Sequence, residues 1–98
     1  MDGSRVQRFR RSSPVTTLEV QDRLVLFHAG LGKTAVLNPT GSRLWSFLET
    51  PQTAAAIADH LRALFPSIAP PQAQNDVSAF LENLVQQGLV LVEEDNKE

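Results

Sequence analysis

The sequence predicts an α+β domain of the winged helix-turn-helix type, a three-stranded antiparallel sheet followed by three helices. Three observations lead there. Residues 15–37 hold three β-branched or apolar stretches separated only by short polar or glycine-bearing links. The third stretch runs straight into Asn38-Pro39, an N-cap residue followed by a proline at the first helical position, where its missing N–H needs no partner. Two further helix-period patterns then follow, broken at Pro66 and at Gly88. Strands followed by helices, in a chain of 98 residues, give one core and one domain.

The elements follow in order. Residues 1–13 are polar, with Val6 and Phe9 as apolar punctuation, and read as a flexible basic N-terminal arm. Val15–Val20 reads as a first strand, Gln21-Asp22 as a tight connection, and Arg23–His28 as a second strand with an apolar middle. Ala29–Lys33 carries two glycines and reads as a loop, and Thr34–Leu37 as a third strand at the sheet edge. The first helix, 39–48, places Leu44, Phe47 and Leu48 on one face with Trp45 beside them, an arrangement that favours core packing over a stacking platform for a base. Thr53 is positioned to cap a second helix, 54–65, with Ile57, Leu61 and Phe65 inward. Residues 66–71 read as a rigid connection. A third helix, 72–87, turns Val77, Phe80, Leu81, Leu84 and Val85 inward, and Gly88 suits the left-handed closing position. Leu89–Val92 is a short strand or packing segment, and 93–98 an acidic, solvated tail.

The net charge of −2 hides an asymmetry, since Arg5, Arg8, Arg10 and Arg11 supply four of the nine basic residues. From Pro14 onward ten acidic residues face five basic ones, a balance near −5 that disfavours binding to a phosphate backbone. With no cysteine, disulfides and thiolate chemistry are excluded. No apolar run follows the arginines as a targeting peptide requires, and none is long enough to span a membrane, so a cytoplasmic location is expected.

No motif points to catalysis. Gly30-Leu31-Gly32-Lys33-Thr34 resembles the end of a phosphate-binding loop, but Phe27 stands where the first glycine belongs and a strand follows instead of a helix. His28 and His60, the only histidines, have no grouped partners for a zinc site, and no serine sits with a base as a nucleophile would. The chain is therefore expected to be a binding protein, not an enzyme, with no metal and no cofactor.

With this organisation, Leu37-Asn38-Pro39-Thr40, then Ala56–Leu61 running to Phe65-Pro66, then Asp76–Leu84 closing on Gly88-Leu89-Val90, resemble in order and spacing the PqqD-like family. These are leader-peptide recognition elements for ribosomally made, modified peptides. The resemblance covers residues 14–92 and leaves out the arginine-rich start and the acidic tail. It implies a non-catalytic adaptor that holds the leader of a precursor peptide and presents the core segment to a modifying enzyme. It also implies that the leader adds as a strand to the meander edge, in a groove against the third helix.

Carried onto this chain, the implied site is Lys33, Thr34, Ala35, Val36 and Leu37 on the strand, and Asp76, Ala79, Phe80, Asn83 and Gln87 on the helix. Phe80, Val36 and Ala79 are expected to form its floor. Gly41 and Ser42 stand where many relatives carry Ala, a difference expected to leave the groove unaltered. The acidic balance predicts a leader bearing at least one Lys or Arg. The rival readings are a DNA-binding winged-helix regulator, which the absence of Lys and Arg between Gln72 and Gln87 disfavours, and a docking subunit of the modifying enzyme. An open strand edge also permits a homodimer.

Overall fold

The computed structural model describes residues 5–96; positions 1–4 of the expected arm and 97–98 of the expected tail lie outside the described residues. In chain order the elements are β1 (Arg5–Arg11), β2 (Val15–Val20), β3 (Arg23–His28), β4 (Lys33–Leu37), α1 (Pro39–Phe47), α2 (Ala54–Leu64), α3 (Pro70–Gln86) and β5 (Val90–Asn96). The predicted meander is present, with antiparallel strand order β2-β3-β4 and β4 at one edge.

Local signals set the helix ends. Asn38 Oδ1 accepts from Gly41 N at 2.7 Å and Thr53 Oγ1 accepts from Ala56 N at 3.1 Å, each satisfying a first-turn donor. Gly88 closes α3 at φ 76°. The third helix starts earlier than its sequence suggests. Pro70 and Pro71 belong to its first turn, where missing N–H groups carry no penalty, and are not part of the connection.

The arm is the main correction. Residues 5–11, expected to be flexible, form β1, which pairs along its length with β5 in a second, two-stranded sheet. The same pairing takes residues 93–96 of the expected acidic tail into β5. The physical reason is complementarity between the chain ends: Arg10 pairs with Glu93, and Gln7 donates to Glu94. The other side of β1 is also held. Phe9 exchanges backbone bonds with Gln52 (2.7 and 3.0 Å), and its side chain packs on the core.

One core joins these layers. Leu26 from β3, Trp45 and Leu48 from the α1 region, Ile57 and Leu61 from α2, Val77 and Leu84 from α3, and Leu89 and Val90 are all essentially inaccessible. Trp45 is a core residue, 1 % exposed, with its indole N–H donating to Thr17 Oγ1 at 3.1 Å. The buried His28 ties three segments together. Its Nδ1 accepts from Leu31 N at 3.1 Å, which leaves Nε2 to donate to Ser12 Oγ at 3.2 Å. Phe47 and His60 stack at 4.2 Å between α1 and α2.

Candidate functional site: a groove beside an open strand edge

The site is built where β4 ends, α1 begins and α3 crosses. Ser42, in the first turn of α1, fixes this corner. Its hydroxyl accepts from Leu24 N at 3.0 Å and donates toward Leu37 O at 3.4 Å, pinning α1 across the last β3–β4 pair. Alternation along β4 then decides which side chains reach the groove. Leu37 is buried and Ala35 half-buried on the inner face, whereas Val36 is 63 % exposed on the outer face.

Between β4–α1 and α3 lies an open cavity of about 590 Å³. Leu37 is its wall on the strand side; Asn38, Thr40, Gly41 and Leu44 come from the start of α1. Asp76, Ala79, Phe80, Asn83 and Leu84 come from α3, and Leu61, Phe65 and Ile68 close the far end. The lining is mostly apolar. Among the described residues, Asp76 is the single ionisable side chain that lines it, and it is exposed to solvent at the rim.

Of the sequence-derived site residues, Leu37, Asp76, Ala79, Phe80 and Asn83 converge on this cavity. Lys33, Thr34, Ala35 and Val36 do not line it and stand along the open edge of β4. Val36 is not part of the floor: on the outer face it pairs across the sheet with Val25, which pairs in turn with Leu18. The residue adjacent to Phe80 and Ala79 from the strand is Leu37. Gln87 also lies outside the cavity and donates through Nε2 to Oδ1 of the lining residue Asn83.

Sequence reasoning missed Asn38, Thr40, Gly41, Leu44, Leu61, Phe65, Ile68 and Leu84 as lining residues. The sequence signal for Phe65 is its place at the helix end, immediately before Pro66; in the structure it follows the last residue of α2 and stays 39 % exposed. Gly41, a position expected to leave the groove unaltered, is buried and borders the cavity directly.

Comparison with known proteins agrees with this geometry. The profile of the PqqD family, described as coenzyme PQQ synthesis protein D, matches residues 23–90. The structure of TbiB1 in complex with the TbiA(beta) leader peptide is similar at 31% identity and TM-score 0.76, over 83% of this chain and 93% of that one. A lasso peptide synthetase B1 complexed with the leader peptide shares the fold at 22% identity and TM-score 0.73, over 85% of this chain and 96% of that one. Among curated proteins, none matches the chain in sequence at a significant level. The profile spans β3, β4, all three helices and the first residue of β5, more than half of the chain, so the chain belongs to the PqqD family.

Proposed function

We propose that this chain is a non-catalytic adaptor that binds the leader of a ribosomally made precursor peptide by β-strand addition and presents it to a modifying enzyme. The observation that carries the reading is the edge of β4, which no strand pairs with among the described residues, running beside an apolar cavity. An open edge supplies a row of backbone donors and acceptors, and an adjacent cavity supplies side-chain specificity, the two requirements of strand addition.

The magnitudes support both parts. Four ladder bonds at roughly 1 kcal/mol each are nearly cancelled by the 2–5 kcal/mol needed to order a flexible leader. Two apolar leader side chains buried in the cavity add about 1.5–3 kcal/mol each. With the cavity filled, micromolar affinity, about 8 kcal/mol, is reached at the favourable end of these ranges; with the cavity empty it is not. Asp76 at the rim favours a leader with Lys or Arg near the anchor.

The competing reading as a DNA-binding regulator loses its basic arm. Arg10 is paired with Glu93, and Arg11 is engaged with Trp45. α3 offers no Lys or Arg to a groove. No described helix is long and apolar enough to cross a membrane. We further propose that the adaptor works in the cytoplasm, beside its enzyme.

The test is fluorescence anisotropy with labelled precursor peptides encoded near this gene, at low and high salt. Micromolar or tighter binding to the leader but not the core, little changed by salt, is the expected result. No binding to any leader, with or without the neighbouring enzyme, rejects the adaptor role. A steep loss of affinity with salt toward duplex DNA would support the regulator instead.

A further inference from the structure

Gly41 is a glycine that its backbone does not require. It sits in the first turn of α1, and the described positive-φ glycines are Gly32 and Gly88. Glycine is the poorest helix former after proline, so its presence works against α1. What it provides is room. A Cβ built there would lie 3.3 Å from Phe80 Cε1, 3.2 Å from Asn38 Oδ1 and 3.6 Å from Leu37 Cβ.

Two of these contacts approach more closely than a methyl tolerates without movement. Asn38 Oδ1 cannot readily give way, because it is held by the 2.7 Å bond from Gly41 N that caps the helix. Phe80 packs against the core but is only half-buried and borders the open cavity, so of the two it is the side chain with space beside it. An alanine at 41 would therefore add its methyl to the cavity and push the Phe80 ring off α1 into the groove.

We infer that Gly41 sets the size of side chain the groove accepts: by letting Phe80 seat against α1, it keeps the cavity open to a large aromatic or branched apolar anchor. For its natural ligand this rests on the leader-binding reading, but the steric prediction can be tested without any leader.

The probes are N-acetyl amino-acid amides of Ala, Val, Leu, Phe and Trp, titrated into the ¹⁵N-labelled full chain and followed at the amides of Gly41, Asp76, Phe80 and Asn83. In the wild type, binding should strengthen from Ala to Phe. In Gly41→Ala, a change that favours the helix, the Phe and Trp probes should weaken at least fivefold while the Val probe is unchanged. Adding Phe80→Leu, which removes Cε1, should restore the Phe probe. Equal effects on all probes, or probe shifts that avoid these amides in the wild type, overturn the inference. Repeating the Gly41→Ala comparison with a labelled leader tests the adaptor reading separately. Size-dependent probe binding with no leader binding would retain the gauge and reject the adaptor role.

Discussion

The Arg11 guanidinium lies 4.7 Å from the centre of the Trp45 ring and donates through Nη2 to the Trp45 carbonyl at 2.7 Å. The contact joins β1 to the last turn of α1, so an arginine that reads as part of a solvated arm is a structural bolt. Burial pushes its pKa below the usual arginine value, and the nearby Glu49 charge opposes that shift. The cation–π contact and a charge-assisted hydrogen bond together suggest that Arg11→Ala lowers stability by about 2 kcal/mol. Arg11→Lys should recover only part of this, since an ammonium lacks the planar fork. Urea unfolding should show a lower midpoint with an unchanged slope; an unchanged midpoint would mean that β1 contributes little.

Ser42 offers a second stability test at the groove itself. Ser42→Ala removes the hydroxyl that bridges Leu24 N and Leu37 O and leaves the Leu24 donor short of a partner. The loss should be about 1–3 kcal/mol. Amide exchange at Leu24 should accelerate relative to the rest of β3. Protection equal to wild type would show that water replaces the hydroxyl at no cost.

The parts of this fold that were legible in the sequence are those set by neighbours in the chain. Asn38, Thr53 and Gly88 announced helix ends because capping acts over three or four residues, and Leu44, Ile57 and Val77 announced faces through helical period. The β1–β5 pair was not legible. Its partners lie between 79 (Arg11 and Val90) and 91 (Arg5 and Asn96) positions apart, and Arg8, Arg10, Glu93 and Glu94 look solvated until they are placed side by side. Likewise, which of Val36 and Leu37 faces the groove depends on strand phase relative to α1, which Ser42 fixes. The cavity wall from Gly41, Phe65 and Ile68 exists only once α1, α2 and α3 have packed.

The Gln21-Asp22 turn carries local strain. Gln21 has φ 60°, a left-handed conformation that a side chain with a Cβ adopts at a cost of roughly 1–2 kcal/mol. Gln21→Gly removes the steric part but loosens the unfolded chain, so the net gain should be about 1 kcal/mol or less. That corresponds to a rise of a few degrees, up to about 8 °C, in Tm. Scanning calorimetry checks it, and a lower Tm would mean that the Gln21 side chain makes a contact worth more than the strain.

Strand addition can be probed at Val36. Leu24 and Leu37 direct their polar groups toward each other across Ser42, so alternation along β4 turns the Val36 N–H to the open edge. Its side chain is exposed, so Val36→Pro spares the core. Losing one ladder bond of about 1 kcal/mol, with some distortion of the strand, should weaken leader binding five- to tenfold. Anisotropy measures the affinity, and circular dichroism confirms that the variant is folded. Undiminished binding in a folded Val36→Pro would place the leader away from this edge.

Charge at the rim can be tested by reversing it. Asp76 is exposed, so its attraction for a leader cation is screened and worth at most about 1 kcal/mol. Asp76→Asn should weaken a Lys- or Arg-bearing leader by up to about fivefold at low salt. Asp76→Lys should weaken it further, and both losses should shrink at high salt as screening removes the interaction. A leader whose basic residues are replaced by Gln should bind the wild type and both variants nearly equally. If Asp76→Lys weakens that neutral leader as strongly as the basic one, Asp76 acts by shaping the groove and not by its charge.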